Sequence, residues 1–183
     1  KKAGYLAIEG SPGVFYHPIK DIDVTVYVDD FVLGADPEIE RQAWSELEKE
    51  INFKDPEVVL DRYLGVYFQF KWLQNGSLEM ATSMEKYLLD AVQVYMKEAK
   101  VLTLPYVATP SLEDRPDLSE NPTPGLMLST CASHLMKLLY AARLCRADFL
   151  VATSFLARRV SKWQLNEDKR LRRLMSYVYH HAG

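Results

Sequence analysis

Residues 24–34 read Val24-Thr25-Val26-Tyr27-Val28-Asp29-Asp30-Phe31-Val32-Leu33-Gly34. Two adjacent carboxylates stand between apolar, largely β-branched runs, each with the composition of a short strand. The pattern predicts a β-hairpin with strands over 23–28 and 31–34 and the Asp pair at its tip. Anions side by side repel, and a pair held at such a tip suits a divalent cation, which takes hard oxygen ligands. The plainer alternative is an acidic turn, because Asp favours turns through local hydrogen bonds.

Working outward, a strand is expected over 14–16, ahead of the hairpin. After it, Asp36 caps a helix with Pro37 in its first turn, running to about Glu50. Ile39, Ala43, Leu47 and Ile51 recur at helical spacing as its buried stripe. Two further strands, 63–70 and 78–81, flank Gln74-Asn75-Gly76, and Asn-Gly is a strong hairpin signal because both residues tolerate positive φ. Thr82-Ser83-Met84-Glu85 has the form of a capping box. It predicts a helix to about Ala99 with Tyr87, Leu88, Ala91, Val92 and Tyr95 on one face. Residues 103–125 lose periodicity and hold Pro105, Pro110, Pro116, Pro122 and Pro124, as expected of a linker draped over the surface or of a partly disordered stretch. Helices are expected over 129–142, 148–160 and 166–180. The fold class is α+β.

Five stretches, in order, carry a resemblance. They are Tyr27-Val28-Asp29-Asp30 followed by Phe31-Val32-Leu33-Gly34; Arg62-Tyr63-Leu64-Gly65-Val66; Glu85-Lys86-Tyr87-Leu88-Leu89; Leu138-Leu139-Tyr140 with Cys145-Arg146-Ala147-Asp148-Phe149; and Lys169-Arg170-Leu171-Arg172-Arg173-Leu174-Met175-Ser176-Tyr177. Together they resemble the C-terminal part of copia-type LTR-retrotransposon reverse transcriptases, over nearly the whole chain. The resemblance implies a partial polymerase palm, an antiparallel hairpin sheet plus helix with a following hairpin, over residues 1–82. A thumb helix follows over 83–102, then a Pro-rich linker over 103–128 and a helical connection region over 129–183. Some positions depart from the family pattern: Met84 stands where Gln is usual, Cys131-Ala132 where Tyr-Arg is, Met136 where Gly is, and Cys145-Arg146-Ala147-Asp148 where Thr-Arg-Pro-Asp is.

The activity so implied is RNA-directed DNA synthesis by two-metal nucleotidyl transfer. Two Mg²⁺ (or Mn²⁺) ions roughly 3.5–4 Å apart would activate the primer 3′-hydroxyl and hold the leaving pyrophosphate. Asp29 would be the principal ligand and Asp30 the weaker one. Tyr27 and Val28 would lie near the primer end, as would the 63–81 hairpin, and the partner would be an RNA/DNA template-primer. A working palm needs one more carboxylate, which the family carries on an earlier strand, beyond a nucleotide-binding segment. Asp21 and Asp23 cannot supply it, because six extended residues put Asp23 roughly 20 Å from Asp29. The expectation is therefore a chain inactive alone, with a protein partner completing the palm over apolar residues such as Val24, Val26 and Phe31. The alternative is a retroelement-derived, non-catalytic subunit or binding module of a larger assembly.

Composition fits a globular protein: 48% of the 183 residues are apolar, enough for a packed core. Cys131 and Cys145 do not suggest a disulfide framework, and His17, His134, His180 and His181 show no zinc-site spacing. No secretory signal or membrane-length apolar run is evident, so a cytoplasmic or nuclear location and no membrane partner are expected. Charge is unevenly split. Residues 134–183 hold 10 Lys+Arg against 3 Asp+Glu, a net of +7, and residues 1–133 hold 12 against 22, a net of −10. Arg158, Arg159, Lys162, Lys169, Arg170, Arg172 and Arg173 are close enough in sequence to form a phosphate-binding stripe. A solvated helical face is the competing reading.

Overall fold

The computed structural model describes residues 4–112 and 123–183, which form two compact units, Lys1–Tyr63 and Leu64–Gly183. The first is a four-stranded antiparallel meander. Its strands β1 (Leu6–Ala7), β2 (Val14–His17), β3 (Ile22–Tyr27) and β4 (Asp30–Gly34) lie in chain order. The sheet is followed by helix α1 (Pro37–Glu48) and the short strand β5 (Arg62–Tyr63). Helix α1 starts as its sequence dictates: the Asp36 carboxylate accepts from the Glu38 backbone N–H at 3.0 Å, and Pro37 brings no orphan donor to the first turn.

The expected gap over the sheet does not occur. Ile22 and Val24 are buried with Ala43 and Leu47 of α1, and Phe15, Val26, Phe31, Ile39, Trp44 and Phe53 pack around them. Phe53 meets both Phe31 and Trp44 edge-on, with ring centroids 5.1 and 5.7 Å apart. Covering one face of a small sheet takes a single amphipathic helix, and the stripe on α1 supplies it. Helix α1 therefore covers Val24 and packs against the half-buried Val26 and Phe31.

The second unit comprises strands β6 (Val66–Trp72) and β7 (Leu78–Ser83) and helices α2 (Glu85–Glu98), α3 (Cys131–Leu144), α4 (Leu150–Ala157) and α5 (Leu165–His180). Short 3₁₀ turns at Ala147–Phe149 and Val160–Lys162 flank α4. Its core draws Leu88, Val92 and Tyr95 from α2, Leu135 and Leu138 from α3, Phe149 and Leu156 from the α4 region, and Leu171, Leu174 and Val178 from α5. Val66 of the second hairpin is buried in the same core and Phe68 packs against it, so this hairpin shares a core with the helices, across the boundary at 82 expected from the sequence. Met84, at the position where the family has Gln, is 1% exposed and fills that core.

Two local expectations change. Thr82 and Ser83 are committed to the β6–β7 ladder opposite Phe68 and Tyr67, so α2 begins at Glu85, without the Thr82 capping box. Ser83 Oγ still accepts from the Glu85 N–H at 3.2 Å. In the hairpin connection only Gly76 has positive φ (+81°), while Asn75 accepts from the Ser77 N–H through its side chain at 3.0 Å, an Asx turn. The linker is tied down in its described part: Leu104 is 5% exposed, and His180 and His181 bond the carbonyls of Leu104 and Val107 at 2.9 and 3.1 Å. Pro116 and Pro122 lie outside the described residues. Among those described, no helix is long and apolar enough to cross a membrane.

Candidate metal and nucleic-acid site

In the β3–β4 register Tyr27 faces Asp30 as the last pair, leaving Val28 and Asp29 as the turn. Tyr27 is 58% and Val28 79% exposed, and both carboxylates are exposed. Val28 has φ +55°, a conformation that a β-branched side chain resists at a cost of about 1–2 kcal/mol. Residues held in such regions cluster at functional sites. An Asp in a structural turn ordinarily spends its side chain on nearby backbone N–H groups. The side chains of Asp29 and Asp30 make no hydrogen bond or ion pair among the described residues, so their carboxylate oxygens remain available.

The tip overlooks a cleft of about 250 Å³ whose lining adds Glu48, Asp55 and Glu57 to the pair, against Phe31, Trp44 and Phe53. Nearby, the Tyr63 phenol is pushed above its ordinary pKa by burial and by the charge of Asp30, and its buried hydroxyl has no hydrogen-bond partner. Asp23 pairs with Gly34 at the opposite end of the β3–β4 ladder, which keeps it away from the tip. Among the described residues no group of three or more side chains is arranged to hold a metal ion. Two hard oxygen donors therefore fit Mg²⁺ or Mn²⁺ in kind and fall short in number.

On the β6–β7 hairpin, the pairs Phe70 with Met80 and Trp72 with Leu78 face each other, and all four side chains are exposed. Phe68 and Phe70 are parallel, with ring centroids 6.3 Å apart.

The seven basic residues have divided duties. Arg159 and Arg170 place their guanidiniums 4.3 and 5.1 Å from the centre of the Phe155 ring, and Arg159 also lies 3.9 Å from Glu167. Arg158 donates to the Ser154 carbonyl one turn back, at 3.3 Å. Arg173 is a strut: its guanidinium donates to the Thr109 carbonyl at 3.0 Å and to the Thr109 hydroxyl at 2.8 Å. Lys162, Lys169 and Arg172 are exposed. Arg172 acts on the buried Tyr95 phenol, whose pKa is pushed up to about 12 by burial first, against the lowering effect of the guanidinium.

Sequence reasoning assigned no role to two carboxylates that organise the helices. Asp148 takes a two-point grip from Arg146 (3.0 and 2.9 Å) and accepts from the Tyr177 hydroxyl at 2.9 Å. Asp168 accepts from the Met127 N–H at 3.1 Å, the Trp163 indole N–H at 2.7 Å and the Leu126 N–H. Sequence spacing could have flagged Arg146 with Asp148, two residues apart; nothing local links Asp168 to Leu126 and Met127, which lie 42 and 41 residues away. Comparison with protein-family models, curated proteins and solved structures finds no match to this chain.

Proposed function

We propose that the chain is the C-terminal part of a copia-type reverse transcriptase, an RNA-directed DNA polymerase segment in which the β3–β4 hairpin carries the metal-binding carboxylates. The observation that supports this reading is the availability of the Asp29 and Asp30 carboxylates: exposed, on a backbone strained at Val28, and without a side-chain hydrogen bond or ion pair among the described residues. In this reading Asp29 is the main ligand, Asp30 assists it, and Tyr27 and Val28 flank the primer end of an RNA/DNA template-primer. The metal, when bound, lowers the pKa of the attacking hydroxyl and neutralises the leaving pyrophosphate. The exposed Phe70 and Trp72 would offer surfaces on which bases can stack. A cytoplasmic or nuclear location goes with this reading. In this reading the third metal ligand, which the described residues do not gather, is supplied from elsewhere in the polymerase, and the chain is not expected to polymerise alone.

Titration calorimetry with MgCl₂ and MnCl₂ tests it. A weak event, roughly millimolar as expected for two carboxylates with a largely aqueous shell, should vanish in Asp29→Asn. Tight binding that survives this substitution overturns the assignment. Primer extension on poly(rA) should be absent with this chain and should appear when residues encoded upstream of Lys1 are restored.

A second reading, a retroelement-derived non-catalytic module, draws on the closed face of the sheet: α1 covers Val24, Val26 and Phe31, so the first unit has a core of its own. It is favoured if the upstream-extended protein also fails to extend primers.

A further inference from the structure

A sizeable cavity lies inside the second unit. It is a groove of about 520 Å³ between the C-terminal end of α2, the turn at 126–127 and the first turns of α5. Its apolar lining comes from Ala99, Val101, Leu126, Met127 and Leu165, with Tyr95 beside them. Leu126 is 86% exposed although it faces this groove, an apolar side chain with little of its surface covered.

Charge in the groove is asymmetric. Lys169 and Arg172 stand one helical turn apart on α5, and Lys100 stands across from them at the end of α2. None of these three makes an ion pair or hydrogen bond through its side chain among the described residues. The two acids in the lining are occupied. Glu98 is bonded to the buried His134 at 2.9 Å, and Asp168 is engaged by three donors. Lys100 also sits at φ +54°, the left-handed position just past a helix that glycine ordinarily takes. A lysine kept there despite its Cβ places a cation at the rim.

We propose that this groove is a docking site for an acidic peptide segment bearing a bulky apolar anchor, the anchor lying against Leu126, Val101 and Leu165 and the flanking carboxylates meeting Lys100, Lys169 and Arg172. Its size is in the range that takes a few side chains, and its charge complements carboxylates on both sides of the anchor. A single-stranded polynucleotide fits less well: the one aromatic ring in the lining, Tyr95, is 2% exposed and packs edge-on against His134, so it offers no face for a base to stack on. The inference stands apart from the reading of the Asp pair, since no residue is shared.

The test is fluorescence anisotropy on the full chain with a labelled hexapeptide in which Leu-Trp is flanked by two carboxylate residues on each side. Saturable binding should weaken about tenfold or more in Lys169→Glu/Arg172→Glu and comparably when the peptide's acids are replaced by their amides. Leu126→Ser, a change at an exposed site that leaves the cations intact, should weaken it as well, with circular dichroism confirming that every variant is folded. No saturable binding, unchanged binding by the folded charge-reversal variant, or displacement by a twelve-nucleotide single-stranded RNA at comparable affinity each overturns the proposal, the last in favour of a polynucleotide groove.

Discussion

Asp148 stands where ionisation is favoured from three directions. The Arg146 guanidinium grips it at two points and the Tyr177 hydroxyl donates to it, so its carboxyl is held below the ordinary carboxylate range, by the Arg146 hydrogen bonds first and against the opposing effect of burial. A depressed folded-state pKa means that the folded protein holds the proton less tightly than the unfolded chain. The resulting stability is present above the unfolded value, about 3.9, and is lost as pH falls through the lower folded value. Asp148→Asn should therefore destabilise the protein at neutral pH, by roughly 1–3 kcal/mol because the Arg146 guanidinium, 17% exposed, loses its counter-charge. The difference from the parent should shrink as pH drops below the carboxylate range, read from urea midpoints at pH 7 and pH 3. An equal difference at both pH values would show that the charge has no part in the effect. Tyr177→Phe should give a smaller loss of the same sign. In the sequence only the resemblance drew attention to Arg146 and Asp148. Tyr177, 29 residues further on, had no local signal tying it to them, because the contact exists only once α5 packs beside the α3–α4 connection.

Among the elements, the start of α5 depends on a carboxylate inside its first turn that serves a different segment. Asp168 accepts from two successive backbone N–H groups of the 126–127 turn and from Trp163, which is 2% exposed. Gly125 completes the joint, since a Cβ there would lie 2.5 Å from the Trp163 ring and 2.6 Å from the Gln164 carbonyl. Asp168→Ala leaves three donors without their acceptor and should cost roughly 2–4 kcal/mol, with Asp168→Asn intermediate because its carbonyl keeps part of the acceptor role. Chemical denaturation with tryptophan fluorescence reads both. A loss under about 0.5 kcal/mol, the scale of an ordinary surface change, would mean that water replaces the carboxylate at no cost. The elements themselves were largely legible: Asp36-Pro37 set the start of α1, and the apolar spacing of Leu88, Ala91, Val92 and Tyr95 is the buried face of α2. Where the reading slipped, two local signals competed for one residue. Ser83 serves as a ladder residue before it can serve as a cap, and Asn75 bonds Ser77 through its side chain without taking positive φ.

At the scale of the molecule, the two units differ in how much core they own. Among the described residues, the buried apolar core of the first is Ile22, Val24, Ala43 and Leu47, whereas that of the second has 21 residues. The division itself was hard to read from sequence, because the β6–β7 hairpin alternates like the strands before it, and only its packing through Val66 and Phe68 assigns it to the helices. Likewise the candidate site was legible as the Asp29-Asp30 pair, but not as a cleft that adds Asp55 and Glu57, whose position depends on how the chain returns after α1. Burial of an aliphatic side chain is worth about 1.5–3 kcal/mol, and a unit of this size buries a smaller fraction of its surface than a larger one. Stability should accordingly be uneven, with local opening free energies lower in the first unit. Native-state hydrogen exchange should show the amides of β3 and β4 exchanging well before those of α3 and α5, and calorimetry should resolve a minor low-temperature transition ahead of the main one. Ala43→Gly, a cavity and a helix-interior glycine at once, should cost roughly 1–2 kcal/mol and move only the first transition. A single transition that shifts as a whole in this variant would instead mean that the small sheet and the helices unfold as one cooperative body, and that the hairpin carrying Asp29 and Asp30 draws its stability from the larger core.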